Sequence, residues 1–232
     1  MNNATRINVA TLGVIFGISG MTHGFAEILQ GNTPTGGLFI NAIAAGSSWT
    51  RWSEGGEGAF TILPNFLITG ILAMIFGFAI VVWSLGFAHK RYGPLVYLLL
   101  FVLLFFVGGG IGQLIFFIPA WAVATRIHKP LSWWRRVLPA GLRIGLAHAW
   151  PWLLIVAALL ILTGLVVAIF GYLPGVEDME QLLNINLSMV GASWLMFLLA
   201  FVAGFARDIE QGAEQTSVQQ GVQQWQQAFK AK

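Results

Sequence analysis

The chain has 232 residues, of which 57% are hydrophobic and only 9% are charged, and its formal net charge is +3. An ordinary soluble domain carries about 25% charged residues, so this composition argues against a soluble globular fold, which could not cover its surface with so few polar groups. The chain contains no cysteine, which excludes disulfides, thiolate catalysis and cysteine-ligated metal centres.

The apolar residues fall into five blocks, at 7–29, 64–88, 94–125, 146–172 and 187–206. A hydrocarbon core about 30 Å thick needs about 20 helical residues, and four of the blocks have a length suited to one crossing. Continuous apolar runs favour helices over the short alternating segments of a β-barrel. The sequence therefore predicts an all-α, multi-pass helical membrane protein, with a membrane domain at 1–206 and a glutamine-rich cytoplasmic tail at 207–232.

The third block, 94–125, is too long for one crossing, since as a single helix it would extend about 48 Å. It is interrupted by Gly108, Gly109, Gly110 and Gly112, and consecutive glycines disfavour a continuous helix. The block therefore predicts a hairpin of two short helices, at 94–107 and 111–125. This interpretation gives six helices in all. Five helices, with the third block as one crossing, is the alternative.

Charge distribution favours the hairpin, because cytoplasmic loops collect lysine and arginine. With a hairpin, one side of the membrane holds all the basic residues except Arg51. These residues are Arg6, Lys90, Arg91, Arg126, Lys129, Arg135, Arg136, Arg143, Arg207, Lys230 and Lys232. If the third block crossed the membrane once, nine basic residues would lie on one side and three on the other, which is a weaker asymmetry. The sequence thus predicts a protein of the cell membrane with both termini in the cytoplasm.

The first helix carries the strongest candidate site, because Ser19, His23, Glu27 and Gln30 follow one another at helical steps and share one face. Ionisable groups inside a membrane span are costly and by default indicate an ion path, a proton relay or a ligand site. A histidine and a glutamate one turn apart can also share a metal ion, although two ligands do not make a metal site. The alternative is that Glu27 contacts headgroup water and His23 hydrogen-bonds a neighbouring helix.

Other polar residues on the outer side could join this face: Asn41, Glu54, Glu57, Asn65 and Gln113. The outer loop at 31–63 is rich in glycine and contains an apolar piece at 38–45, which resembles a loop that dips back towards the membrane. Such backbone survives at membrane depth only where protein or a water-filled cavity surrounds it. A pocket over the first helix is one interpretation, and a flexible lid of no special function is the other.

The segment 126–143 is the most basic stretch of the chain. The chain as a whole contains ten tryptophans. Its interface candidates are Lys129, Trp133, Trp134, Arg135 and Arg136. Indole rings lie at headgroup depth, and each basic residue gains about 1 kcal/mol near anionic lipid. The segment therefore predicts a cytoplasmic anchor in the lipid bilayer, with specific lipid recognition as the alternative.

The tail contains one stripe of apolar residues, because Val218, Val222, Trp225 and Phe229 recur at steps of four, three and four. This spacing is typical of one side of an amphipathic helix or of a heptad seam. The stripe predicts contact with a protein partner, self-association or contact with the membrane. A disordered polar terminus is the alternative.

These features leave three classes of function. The preferred expectation is a non-catalytic accessory or scaffold component, because polar groups within the spans are few and the tail carries a stripe. The alternative is a small transporter or channel that uses His23 and Glu27, and the third is an intramembrane metal-dependent enzyme. The sequence identifies no catalytic residue, no convincing set of metal ligands and no cofactor, and a nucleic-acid partner is not expected.

Overall fold

The computed structural model describes residues 1–43 and 57–230. It is mostly helical, which fits the all-α prediction. The helices are α1 (Asn3–Leu29), α2 (Phe66–Gly86), α3 (Gly93–Phe106), α4 (Leu114–Ala124), α5 (Ser132–Val137), α6 (Ala140–Phe170) and α7 (Met179–Lys230). Four of them, α1, α2, α6 and α7, are long and apolar enough to cross a membrane, which suggests a membrane protein.

The third apolar block is divided at its glycines, because α3 ends at Phe106 and α4 begins at Leu114. The two helices have 14 and 11 residues, or about 21 and 16 Å, so each is shorter than the hydrocarbon core. The described residues contain seven helices, one more than the preferred six, because Ser132–Val137 forms the separate helix α5.

A small antiparallel sheet lies between α1 and α2, and the sequence analysis did not predict it. Strands β1 (Phe39–Ile43) and β2 (Glu57–Phe60) form this sheet. The described part of the apolar piece at 38–45 is therefore mainly a strand, with Ile40, Ala42 and Ile43 buried. Two residues of the outer loop discussed above, Arg51 and Glu54, lie outside the described residues, as does the side chain of Glu57.

Helices α1 and α2 pack backbone against backbone through glycines. A Cβ atom at Gly24 would lie 2.6 Å from the carbonyl oxygen of Gly70, and one at Gly77 would lie 2.6 Å from the carbonyl oxygen of Gly17. Side-chain carbons do not approach backbone this closely, so only glycine fits at these positions. Small residues allow such close helix contacts in membrane proteins. This antiparallel pair and the pair formed by α6 and α7 have the most extensive helix contacts, and α3 and α4 pack beside them.

Helix α1 is the central element of the bundle. It packs against α2, α4, α6 and α7, and 56% of its most apolar stretch is buried, compared with 28% for α2 and for α6. Its buried residues include Val9, Leu12, Ile15 and Phe16. A polar group on its inward face is therefore enclosed by protein.

The loops at the N-terminal end of α1 converge. The Asn2 side-chain amide donates to the carbonyl oxygens of Arg126 (2.7 Å) and Lys129 (3.0 Å), and the His128 ring is hydrogen-bonded to the His89 carbonyl oxygen. We call this the basic end of the bundle, because the loops that meet here carry arginine and lysine. The opposite end, which carries β1 and β2, is called the sheet end.

Helix α7 continues without interruption across the predicted domain boundary at 206/207 and extends to Lys230. At the start of the tail, Arg143 on α6 forms an ion pair with Glu210. Farther along, Val218 and Val222 are exposed. The side chains of Trp225 and Phe229 lie outside the described part of the chain, so their predicted role in association stays a prediction.

Candidate functional site

The loop between α3 and α4, residues 107–113, continues the small sheet at the sheet end, and we call it the glycine loop. Its Gly108 amide donates to the Phe60 carbonyl oxygen (3.0 Å), and the Ile111 amide donates to that of Gly58 (3.3 Å). Gly108 and Gly110 have φ values of +94° and +96°, a region that residues with a Cβ atom rarely adopt. Pairing with β2 satisfies the backbone of this irregular segment, as an apolar environment demands.

The glycine loop closes over the polar face of α1. A Cβ atom at Gly108 would overlap the Glu27 carboxyl group, and one at Gly110 would lie 3.0 Å from Nε2 of His23. These two positions therefore require glycine for a second reason, in addition to the backbone conformation. Glycine lets the loop approach the side chains of both His23 and Glu27.

Glu27 is fully buried, with an exposed fraction of 0%. Among the described residues, neither of its carboxyl oxygens has a hydrogen-bond partner of good geometry. The sequence alternative in which Glu27 contacts headgroup water is therefore not what the structure shows. The basic loops lie at the opposite end of α1, and the structure describes no ion pair to this group. A carboxylate enclosed in this way is costly unless it gains a proton or a cation.

The hydroxyl groups beside Glu27 indicate which form of the acid they can accommodate. The Thr69 side chain is placed next to the carboxyl group, but its single hydrogen is donated to the Val107 carbonyl oxygen at 2.7 Å. Thr61 lies 2.7 Å from the Thr69 oxygen and must be the donor of that bond. Thr69 can therefore accept a hydrogen bond from protonated Glu27 but has no hydrogen left for a carboxylate.

A cavity of about 420 Å³ lies next to this face, between α1, α4, α6 and α7. Its polar lining residues are Ser19, His23, Gln113 and Asn186. Apolar side chains form the rest of the wall, among them Phe16, Phe116, Ile161, Leu165 and Val190. An apolar pocket with a few convergent polar groups is the usual form of a small-molecule site.

Aromatic side chains close the cavity on the side towards the basic end. The rings of Phe16 and Phe116 have centroids 4.7 Å apart, and Phe116 meets Phe197 edge to face at 6.1 Å. Phe16 precedes Ser19 and His23 on α1, so this cluster forms the floor of the cavity. Two apolar lining residues are partly exposed, Ile111 of the glycine loop at 37% and Leu183 near the start of α7 at 40%, so the more open side of the cavity lies at the sheet end.

The structure brings together three of the predicted site residues, because Ser19, His23 and Gln113 all line the cavity. Glu27 lies one helical turn beyond His23, under the glycine loop. Gln30 does not join them. Its side-chain amide donates to the carbonyl oxygens of Asn41 (3.1 Å) and Ala42 (3.0 Å), so it holds β1 against the end of α1.

Asn65, which the sequence suggested as a further residue of the site, stabilises the start of α2 instead. Its side-chain oxygen accepts from the Ile68 amide at 3.1 Å and caps α2, and its amide donates to the Asn32 side chain at 2.6 Å. Helix caps of this kind satisfy backbone donors that have no partner within the helix. Asn65 is therefore not available to the cavity.

Sequence reasoning missed Asn186, which is only 7% exposed and whose Oδ1 atom has no hydrogen-bond partner among the described residues. It lies just before the fifth apolar block, whose predicted start was residue 187. Its spacing was the available signal, because Leu182, Asn186 and Val190 follow at steps of four on one face of α7.

The lipid-interface candidates lie around α5 at the basic end. Trp133 is 58% exposed, and Lys129, Arg135 and Arg136 are exposed as well. Trp134 instead packs its ring against Phe205 on α7, with centroids 5.0 Å apart. One tryptophan of the pair thus attaches α5 to the bundle, and the other remains available to its surroundings.

Within residues 1–43 and 57–230, no group of three or more histidine, aspartate or glutamate side chains is arranged to hold a metal ion. No family model, curated protein or solved structure matches the chain. The case for a function therefore rests on the geometry of Glu27, the glycine loop and the cavity.

Proposed function

We propose that the chain is a multi-pass protein of the cell membrane with both termini in the cytoplasm. Helices α1, α2 and α6 have 27, 21 and 31 residues, or about 40, 32 and 46 Å, which suits a hydrocarbon core of about 30 Å. Large apolar side chains also form an exposed row along α2: Ile68, Ile71, Ile75, Phe78, Val82 and Leu85. An apolar face of this length needs lipid or another protein to cover it.

The orientation is supported by the contacts at the basic end. The chain start, the loop before α3 and the loop after α4 meet there, and the two loops carry Lys90, Arg91, Arg126 and Lys129. Cytoplasmic loops are enriched in lysine and arginine. The basic end is therefore placed in the cytoplasm and the sheet end on the outer side.

We further propose that this protein is a small transporter or channel for protons, with Glu27 as the proton-binding group. The observation that carries the proposal is the complete burial of a carboxyl group whose oxygens have no hydrogen-bond partner of good geometry among the described residues, while the neighbouring Thr69 hydroxyl can only accept from the protonated acid. Ionisable groups at membrane depth mark proton and ion paths by default. A scaffold subunit has no need of such a group, so the transporter is preferred to the accessory role favoured by the sequence.

His23 supports the proposal because it lies between Glu27 and the cavity. It is one helical turn from Glu27, and it lines the cavity, whereas Glu27 does not. An imidazole can accept a proton at one ring nitrogen and donate one from the other. His23 is therefore placed to pass a proton between water in the cavity and the buried carboxyl group.

We interpret the aromatic cluster of Phe16, Phe116 and Phe197 as a closed inner gate, because its rings are in contact with one another and Phe16 lies on the basic-end side of Ser19 and His23 on α1. Release of a proton towards the cytoplasm requires these rings to separate. The structure is thus interpreted as an outward-facing state with a closed inner gate.

Proton movement through the purified full-length protein tests the proposal. Liposomes that contain the protein and an internal pH-sensitive dye are given a potassium diffusion potential. The wild type should carry protons inwards, and E27Q should carry them only at the rate of protein-free liposomes. E177Q is the matched control, because Glu177 is exposed at the sheet end, and it should behave as the wild type.

Infrared spectroscopy provides a second readout that does not depend on flux. The wild type should show the carbonyl stretch of a protonated carboxylic acid, and E27Q should lack that band. Equal proton flux in the wild type, E27Q and protein-free liposomes would overturn the transport function. Co-purification of a stoichiometric partner with a flux-inactive wild type would instead favour the accessory role.

A further inference from the structure

We infer that the cavity binds a lipid-soluble small molecule that carries a hydroxyl or amine group, and that Asn186 accepts a hydrogen bond from this group. This inference extends the proposed function, because it names a class of ligand that would bind next to the proposed proton path. The coupling of the ligand to proton movement depends on the proposed function. The binding of the ligand to the cavity does not depend on it. Asn186 on the cavity wall has a side-chain oxygen that is buried and has no hydrogen-bond partner among the described residues.

Asn186 lies on α7, and its Oδ1 atom is both buried and without a hydrogen-bond partner among the described residues. Buried polar groups are nearly always paired, so an exception needs an explanation. The side chain lines the cavity, and a Cβ atom at Gly164 on α6 would lie 3.4 Å from Oδ1. The absence of a side chain at Gly164 therefore leaves room beside this acceptor.

The other lining residues indicate that the main part of the ligand is apolar. Phe16, Phe116, Ile161 and Leu165 line the cavity, and no lysine or arginine of residues 1–43 and 57–230 lines it. An apolar body is favoured against these side chains, whereas a fully charged ligand would lose its hydration without a counter-ion. A cavity of about 420 Å³ is within the range of about 300–1,000 Å³ that drug-sized ligands occupy.

The polar groups also define the ligand's functional group. The Asn186 Oδ1 atom is an acceptor, so it selects a ligand that donates a hydrogen bond. Ser19 and His23 line the same cavity from α1, which places the ligand's polar group between α7 and the helix that carries Glu27. A bound molecule would therefore lie next to the side chain that is proposed to relay the proton.

Two matched fluorescent probes test the inference: 1-hydroxypyrene, which has a donor, and pyrene, which lacks it. Binding is measured by energy transfer from tryptophan with the full-length protein in lipid nanodiscs. The wild type should bind 1-hydroxypyrene about five- to tenfold more tightly than pyrene, as one net hydrogen bond predicts. N186L should bind both probes with equal affinity.

Two further variants locate the site. N184L is the matched control, because Asn184 is an exposed asparagine on the same helix, and it should keep the preference for 1-hydroxypyrene. G164L fills the space beside Asn186 and should weaken the binding of both probes at least tenfold. Each variant is first shown to be folded by size-exclusion chromatography and circular dichroism.

The possible outcomes separate the inference from the proposed function. Equal affinity of the wild type for both probes, or unchanged binding by G164L, would overturn the inference. E27Q should retain the preference for 1-hydroxypyrene, because Glu27 does not line the cavity. A protein that binds the hydroxylated probe through Asn186 but carries no protons would refute the transport function and leave the ligand site in place.

Discussion

The two ends of α1 each lie beside a carboxyl group, Asp208 at the basic end and Glu27 at the sheet end. Asp208 accepts hydrogen bonds from the Ala4 and Thr5 amides, both at 2.9 Å, and from the Thr5 hydroxyl at 2.6 Å. Glu27 has no comparable partner among the described residues. Helix α1 is thus capped by one fully paired acid, which belongs to α7, and itself carries a second acid, Glu27, that lacks such partners.

A neighbouring group at the basic end shows the same pattern as Asp208. Asn8 is fully buried, donates to the Ala200 carbonyl oxygen at 2.9 Å and accepts from Nε1 of Trp150 at 2.9 Å. Paired polar groups such as these hold helices together, whereas an unpaired one lowers stability and needs another reason to be present. The comparison therefore supports a structural role for Asp208 and Asn8 and agrees with the proposed role of Glu27.

The largest expected effect is at the basic end. D208A removes a carboxylate that caps the first turn of α1 from another helix, so it should lower the free energy of unfolding by about 3 kcal/mol. Unfolding in detergent, followed by circular dichroism, measures the change. Replacement of the exposed Glu177 by alanine is the control and should cost less than about 0.5 kcal/mol. A loss below about 1 kcal/mol for D208A would contradict the structural role of this acid.

A substitution in the glycine loop should have the next largest effect. G108A combines an unfavourable φ angle with overlap of the new Cβ atom and the Glu27 carboxyl group, so it should cost about 2–3 kcal/mol. In the E27A background the overlap is absent, and the cost should fall to about 1 kcal/mol. The double-mutant cycle measures this coupling. An identical cost in both backgrounds would show that the loop does not contact Glu27.

At the sheet end, in contrast to the basic end, replacement of the acid should not lower the free energy of unfolding. E27M replaces the unpaired acid with an apolar side chain of similar length, so the free energy of unfolding should stay constant or rise by up to about 2 kcal/mol. The same variant should lose proton flux. Detergent unfolding and the liposome assay measure the two properties on one preparation. A loss of more than about 1 kcal/mol would mean that Glu27 has a stabilising partner.

The smallest expected effect is a pH dependence at the basic end. Partial desolvation, followed by the positive charges of Lys90 and Arg6, lowers the pKa of His89 from its ordinary value of 6.5. The folded protein therefore binds this proton less readily than the unfolded chain, so stability is full above about pH 6.5 and decreases below it. H89Q should show a flatter decrease in melting temperature between about pH 7 and pH 5. Identical slopes in the two proteins would exclude His89 as the source.

The parts of the fold that depend on local sequence were predictable. Apolar length identified α1, α2 and α6, and the glycines at 108–112 located the break between α3 and α4. The sequence alone also selected Ser19 and His23 by helical spacing, and it selected Gln113 because a hairpin places its tip near the outer end of α1. Each of these inferences uses the period of one helix or the composition of one segment.

The remaining features depend on contacts between distant segments. The pairing of the glycine loop with β2 joins residues about 50 positions apart, and no local pattern specifies it. The role of Gln30 was not visible because its partners are backbone carbonyl groups of a strand that was not predicted. The α1–α2 contact did leave a signal, since Gly17 and Gly24, like Gly70 and Gly77, are seven residues apart and thus lie on one face.

The length of α7 has a mechanical consequence. Its 52 residues form a rod about 78 Å long, which begins a few residues before Asn186 and ends far beyond Arg143 and Glu210. A tilt of about 5° over that length displaces one tip by about 7 Å relative to the other. A small rearrangement around the cavity is thus amplified into a movement of several ångströms at the glutamine-rich terminus.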